Sequence, residues 1–278
     1  MRRLPKTLVV FDFDWSMIDV DSDHFIFEKL AKDLREKMDI MENNMVWTDM
    51  VNALLSELPA RGITRSDIDQ VLTQIPFRPA MVRALHLAHS AGADLRILSD
   101  ANTYTISRIL DNHGVRHLFT EVATNRGYWD HNDRLWVERY LRLDVDAPHE
   151  CKTVNGKTGR RSCAPNLCKG KELRRMMNQN KYERVVFIGD GANDFCPSCQ
   201  LSSNDVVLCR AGRVLETILT QPRHAAQVKA QVIFWNFASD ILQAFENLFQ
   251  SVESDDSVVA LDRGIVLSTL DAVSVTTC

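Results

Sequence analysis

The stretch Leu8-Val9-Val10-Phe11-Asp12-Phe13-Asp14-Trp15-Ser16 decides how the rest of the chain is read. Four consecutive apolar residues suit a strand buried on both faces, as in a parallel sheet. The run ends in two carboxylates one residue apart. Open α/β sheets place their ligands at the carboxyl ends of their strands. The same pattern recurs further along. Leu95-Arg96-Ile97-Leu98 ends in Ser99-Asp100, and Val185-Val186-Phe187-Ile188 ends in Gly189-Asp190-Gly191. Residues 119–123 read as another strand and 205–209 as the last core strand. Helices are predicted over 79–90, 103–112 and 167–180, with Gly114 just beyond the second as a stop. The expected fold class is α/β: a Rossmann-like three-layer core built on a parallel sheet.

Between the first strand and the rest of that core the rhythm stops. No strand pattern interrupts residues 22–75. Phe27, Leu30, Ala31 and Leu34 fall at i, i+3, i+4 and i+7, which predicts a helix over 22–38. Further helices are expected over 45–58 and 66–73. The reading is a small helical cap, residues 22–76, inserted after the first strand of a catalytic core made of 1–21 and 77–250. Residues 125–166 hold Gly, Asn, Asp, Pro and most of the clustered cysteines. They are expected to be irregular, with a hairpin near 135–140. Residues 225–249 read as one long helix or two shorter ones, with Trp235 and Phe237 serving the core. The tail, 251–278, shows no clear periodicity.

Composition excludes several classes. The 278 residues carry 33 Lys and Arg against 37 Asp and Glu, a formal charge of -4. That balance gives no global pull toward nucleic acid or an anionic membrane. No run of 18 apolar residues appears, so no membrane span is expected. The basic start is followed by an apolar stretch that meets Asp12 too soon for a secretory signal. Seven cysteines, an odd number in a chain too long to need staples, suggest a reducing, cytoplasmic setting.

The polar residues gathered at the strand ends carry the chemistry. A pair such as Asp12 and Asp14 can belong to an ordinary polar loop. Here it is joined by Ser99, Lys169, Asp190 and Asp194, all expected at one end of the sheet. Clustered carboxylates repel one another unless a cation intervenes, and hard oxygen ligands suit Mg²⁺. The set allows phosphoryl transfer. Asp12 can act as nucleophile and form an aspartyl-phosphate, and Asp14 can serve as general acid and base. Ser99 can donate to a phosphoryl oxygen, while Lys169 supplies a point charge.

Asp12-Phe13-Asp14-Trp15-Ser16 resembles the first motif of the haloacid dehalogenase superfamily. Ser99 matches its second motif, Lys169 its third, and Gly189-Asp190-Gly191-Ala192-Asn193-Asp194 its fourth. Longer strings, Ile18 to Asp23, Ser99-Asp100-Ala101-Asn102 and Gly189 to Pro197, look like the phosphoethanolamine/phosphocholine phosphatase family. That family includes plant phosphate-starvation-induced relatives. The resemblance covers about residues 7–245. It implies a Mg²⁺-dependent phosphatase of small phosphorylated metabolites, with Asp12, the Asp14 backbone carbonyl and Asp190 as metal ligands. Asp194 would hold a metal-bound water or orient Lys169. Asp23 and Asp100 would bind substrate, which suits a cationic headgroup. The same family's attributed substrates include pyrophosphate, pyridoxal phosphate and thiamine monophosphate. Asp23 reads equally as a helix cap, with Ser22 as the other candidate. Trp15 either covers a headgroup or packs under the insert.

A cysteine-rich segment stands apart. His149, Cys151, Cys163 and Cys168 lie just before Lys169 and could hold a structural Zn²⁺, although their spacing matches no common compact finger. Packed thiols without a metal are the plainer reading. Two non-enzymatic alternatives follow from these features: a catalytically retired fold used for binding, and a zinc-organised interaction module. The complete catalytic set argues against the first. The sequence leaves the oligomeric state open.

Overall fold

The computed structural model describes residues 4–42, 44–142, 146, 149, 151, 163 and 165–249; the predicted tail lies outside them. In chain order the elements are β1 (Thr7–Phe11), α1 (Ser22–Leu30), α2 (Lys32–Met41), α3 (Trp47–Leu55), α4 (Arg65–Thr73), α5 (Pro79–Ser90), β2 (Asp94–Asn102), α6 (Thr103–Asn112), β3 (Phe119–Trp129) and β4 (Leu135–Glu138). There follow α7 (Lys169–Asn178), β5 (Arg184–Gly189), α8 (Phe195–Ser198), β6 (Val206–Arg210), α9 (Val214–Leu219), α10 (Pro222–Ala225), β7 (Gln231–Trp235) and α11 (Ala238–Phe249). The seven strands form one sheet in the order β4-β3-β2-β1-β5-β6-β7, parallel except for β4. This is the expected Rossmann-like α/β architecture.

Alternation along β1 builds the three layers. Leu8 and Val10 enter a core with Leu173 and Met176 of α7 and Leu215 of α9. Val9 and Phe11 enter the opposite core with α5, α6 and α11. Period-two side chains on a strand covered on both faces must divide in this way. Phe11 is in register with Ile97 on one side and Ile188 on the other. The polar residues that follow these three positions therefore emerge at the same edge.

The helices α1 to α4 lie between β1 and α5. Their buried Leu34, Met38, Val51, Leu54 and Leu72 join the core that also holds Val9 and Phe11. The antiparallel hairpin β3–β4 packs against α3 of this group. Val137 N–H donates to Asn52 Oδ1 at 3.0 Å, and Arg139 pairs with Asp49. Asp19 ties the exit from β1 to the start of α5, accepting from Arg78 Nε at 2.5 Å and from Arg210 at 2.8 Å.

Several expected boundaries are corrected. The helix predicted over 22–38 is two helices, because Ala31 leaves helical geometry at φ -156°. The strand read at 119–123 continues to Trp129, and this extension pairs with β4 where irregular chain was expected. The β2 strand runs through Ser99 to Asn102, with an irregular register after Leu98. The main error concerns 225–249. Residues 231–235 form the edge strand β7, so the strand expected last, β6, is next to last. Trp235 is buried from that strand, whereas Phe237 is exposed. Among the described residues no helix is long and apolar enough to cross a membrane.

Candidate active site

Asp12 leaves the sheet directly after β1, its N–H still donating to the Ile188 carbonyl at 2.9 Å. Its Oδ1 accepts from Phe13 N–H at 2.7 Å, and its Oδ2 lies 2.8 Å from Lys169 Nζ. Lys169 opens α7 and is fully buried. The same ammonium reaches Asp194 Oδ1 at 2.8 Å. The other Asp194 oxygen accepts from the N–H groups of Asp190 and Gly191 at 3.0 and 2.9 Å. That close turn explains Gly189: a Cβ there would stand 2.6 Å from Asp194 Cγ.

Charge follows from burial. Desolvation pushes Asp12 well above the usual carboxylate range, and Lys169 opposes it. Asp190 is pushed up to about 6, first by burial and then by Asp194, against the pull of Arg213. Burial would depress the Lys169 ammonium, but Asp12 and Asp194 hold it above its ordinary value. Asp12, Asp190 and Asp194 each offer a carboxylate oxygen within 4.8 Å of the others. Three buried hard-oxygen donors gathered at this spacing fit a hard divalent cation such as Mg²⁺.

Asp14 turns away from this group toward the start of α1, where it accepts from Ser22 N–H at 3.0 Å and Ser22 Oγ at 3.2 Å. Burial, followed by the Asp21 and Asp23 charges, pushes it well above the usual range. Ser99 is fully buried, and its Oγ accepts from Ala101 N–H at 3.2 Å, which leaves its O–H as a donor. Asp100 accepts from Asn193 Nδ2 at 3.0 Å.

A cavity of about 270 Å³ opens above these groups. Its wall includes Asp12, Asp14, Asp21, Asp100, Asp190 and Arg213. Asp23 is not on that wall. It is buried behind it, accepting from Trp47 Nε1 at 3.0 Å, and is pushed up to about 7 by burial and then by Asp21. The helix cap expected at Ser22 or Asp23 is Asp21, which accepts from His24 N–H at 2.9 Å. Trp15, at φ 57°, joins the wall with one ring face under the Arg213 guanidinium, 4.2 Å from the ring centre.

Sequence reasoning missed Arg213, Asp21, His24 and Trp47 as wall residues. Arg213 had a usable signal, since it follows a predicted strand at the ligand-bearing end. Nothing local marks Trp47, which reaches the site only through the packing of α3. Of the four proposed zinc ligands, His149, Cys163 and Cys168 gather with atoms within 4.8 Å. Cys151 instead groups with Cys168 and with Cys196, which the sequence reading had not included.

This geometry agrees with three kinds of similarity. Phosphoserine phosphatase structures share the fold. One with bound substrate aligns at TM-score 0.53 and 14% identity over 86% of this chain and 98% of its own. Another, from T. onnurineus, aligns at TM-score 0.55 and 12% identity over 89% and 98%. Inorganic pyrophosphatase 2 of Arabidopsis thaliana is 32% identical, covering 92% of this chain and 88% of that protein. Pyridoxal phosphate phosphatase of Mus musculus is 27% identical over 88% and 99%. The model of the family described as "Putative Phosphatase" matches residues 7–249. The chain thus belongs to that family, and with it to the phosphatases of the haloacid dehalogenase type.

Proposed function

We propose that the chain hydrolyses small phosphomonoesters of amino alcohols, phosphoethanolamine and phosphocholine, through an aspartyl-phosphate. One observation carries the substrate class. Asp21 and Asp100 stand on the cavity wall with Asp14, and these carboxylates outnumber the Arg213 guanidinium, which lies over Trp15, so the wall attracts an ammonium group. At about 270 Å³ the cavity lies below the roughly 300–1,000 Å³ of typical small-molecule sites, which favours a compact substrate.

Asp12 would attack phosphorus while Asp14 protonates the departing alcohol; the raised affinity of Asp14 for its proton suits that task. Asp14 would then take a proton from the water that attacks the aspartyl-phosphate. Lys169 would draw Asp12 toward its ionised form, against burial, and orient it, with Asp194 holding the ammonium from the other side. Ser99 O–H would donate to a phosphoryl oxygen. Mg²⁺, held by Asp12, the Asp14 carbonyl and Asp190, would offset the repulsion between carboxylates and an incoming phosphate dianion. Asp23 would act through Trp47, whose indole it holds. The α1–α4 insert, residues 22–76, would form a cap that limits water access.

A second reading, pyrophosphate hydrolysis, is favoured by the Arabidopsis relatives at 32% and 33% identity and by the Arg213 guanidinium on the wall. Hydrolysis of pyridoxal phosphate or thiamine monophosphate is suggested by more distant relatives.

The test is phosphate release from phosphoethanolamine, phosphocholine, pyrophosphate, pyridoxal phosphate, thiamine monophosphate and phosphoserine, each with Mg²⁺ and with chelator. Metal-dependent turnover with the highest kcat/KM on the first two is expected. A clear preference for pyrophosphate would overturn the amino-alcohol reading and leave the catalytic centre intact.

A further inference from the structure

Four thiols from three separate parts of the chain meet beside the catalytic lysine. Cys168 immediately precedes Lys169, and Cys196 lies two residues beyond Asp194. Cys151 and Cys163 come from the preceding segment. Cys163 interacts with both Cys168 and Cys151, and Cys196 interacts with the same two. Cys168 thus links two groups whose ligand atoms lie within 4.8 Å of one another, one with Cys151 and Cys196 and the other with Cys163 and His149. The Cys151 and Cys196 sulfurs are 3.7 Å apart, too far for a disulfide. With Zn–S bonds of about 2.3 Å, the edge of a ZnS₄ tetrahedron is roughly 3.8 Å. His149 Nε2 stands 3.8 Å from Cys163 Sγ, where a ring N–H can donate to a thiolate.

The backbone is shaped to permit this meeting. Gly170, in the first turn of α7, faces the Cys196 sulfur so closely that a Cβ would collide with it. Only a residue without a side chain lets α8 bring Cys196 against Cys168. No step of the phosphatase reaction uses these thiols. Soft sulfur donors also select a different metal from the carboxylate group at Asp12, Asp190 and Asp194.

We propose that Cys151, Cys163, Cys168 and Cys196 form a structural Zn²⁺ site, with His149 hydrogen-bonded to the Cys163 sulfur, that fixes Lys169 and Asp194 relative to each other. Binding releases the thiol protons to solvent and involves no change of oxidation state. The ion would tie the chain before α7 to α8. It would therefore clamp both ends of the Lys169–Asp194 contact from behind. This site is independent of which phosphoester is hydrolysed.

Metal analysis of the purified full chain tests the site without reference to substrate. About one equivalent of zinc should remain after dialysis that removes Mg²⁺, and a mercurial thiol reagent should release it in step with thiol modification. The chain loaded with Co²⁺ should show thiolate charge-transfer absorption and the intense visible bands of tetrahedral cobalt. C196S should lose most of the zinc, whereas C199S, which alters a thiol outside the cluster, should keep it. If C196S does not fold, the cobalt spectrum and zinc release of the unmodified chain decide the matter. A wild-type chain that is zinc-free yet folded, or that shows a Cys151–Cys196 disulfide, overturns the proposal. So does a C196S chain that retains full zinc and an unchanged cobalt spectrum.

Discussion

Asp14 accepts both the backbone N–H and the hydroxyl of Ser22, so the proposed acid–base carboxylate is held by the first residue of the helical insert. The hydroxyl favours the ionised form, against burial and the charges of Asp21 and Asp23. Replacing Ser22 by Ala removes that donor and raises the Asp14 pKa further. A hydrogen bond worth about 1 kcal/mol corresponds to roughly 0.7 of a pH unit. The step that needs protonated Asp14 should then persist to higher pH. In S22A the alkaline limb of kcat/KM is expected to move up by about that amount. A limb that stays in place would remove Asp14 from the acid role.

The buried Lys169 ammonium stands between Asp12 and Asp194, and its loss exposes their repulsion. Removing one partner of a buried ionic group costs about 3–5 kcal/mol, because the remaining charges are left without compensation. Lys169→Met should therefore lower the Tm markedly and reduce kcat by at least about 10³-fold, consistent with loss of a preorganised charge. Adding Asp194→Asn should recover part of the Tm but none of the activity. Thermal melts and single-turnover kinetics on both variants separate the two effects.

Asp12→Asn should behave in the opposite sense for stability. It deletes the proposed nucleophile and relieves a carboxylate that burial disfavours. Turnover should vanish while the Tm holds or rises. The Mg²⁺-dependent increase in Tm should shrink, because one of the three gathered carboxylates is gone. A variant with normal turnover would sink the nucleophile assignment.

Asp23 gives a stability prediction with a defined pH window. Its folded-state pKa is pushed up to about 7, above the ordinary 3.8. A carboxyl with a raised folded pKa binds its proton more tightly in the folded state, so its ionisation destabilises the fold. The cost is absent near pH 4 and below, grows as pH rises through the window, and is fully present above about 7. Asp23→Asn removes it. The Tm of this variant should match wild type near pH 4 and exceed it at pH 8. Because Asp23 holds Trp47, the same variant should change KM for phosphocholine more than kcat.

Much of this site was legible because three strands announce themselves twice, by apolar runs (unbroken in β1 and β5, interrupted by Arg96 in β2) and by the polar residues that end them. Asp12, Ser99 and Asp190 are placed together by sequence alone, since parallel register leaves them no other edge. The edge strand β7 was not legible. Val232-Ile233-Phe234-Trp235 is an apolar run like that of β1, but no polar catalytic-type residues end it and it lies directly before the helical 238–249 pattern, so it reads as part of a helix. Its neighbours in sequence also favour helix. Asp21 and Asp23 show a finer limit. Both flank the start of α1, and only the helix geometry decides that the first faces the cavity while the second turns behind Trp47. Cys196 was hidden for a related reason: its partnership with Cys168 depends on α7 and α8 meeting at Gly170.

Asp100 offers the sharpest test of headgroup recognition. It stands on the cavity wall, at the end of β2, and its Oδ2 is already held by Asn193 Nδ2. Asp100→Asn keeps size and hydrogen-bonding capacity but removes the charge that would face an ammonium group. Loss of one such partly buried attraction, about 1.4 kcal/mol, should raise KM for phosphoethanolamine and phosphocholine roughly tenfold. The Km for an uncharged aryl phosphate should change little, because that substrate has no cation to lose contact with. For pyrophosphate the sign reverses: removing a carboxylate from the wall should improve binding of a polyanion. Parallel KM measurements on the three substrate types therefore separate the two readings of the pocket. A uniform rise across all three would mean that Asp100 serves only to position Asn193 and the turn that carries Asp194.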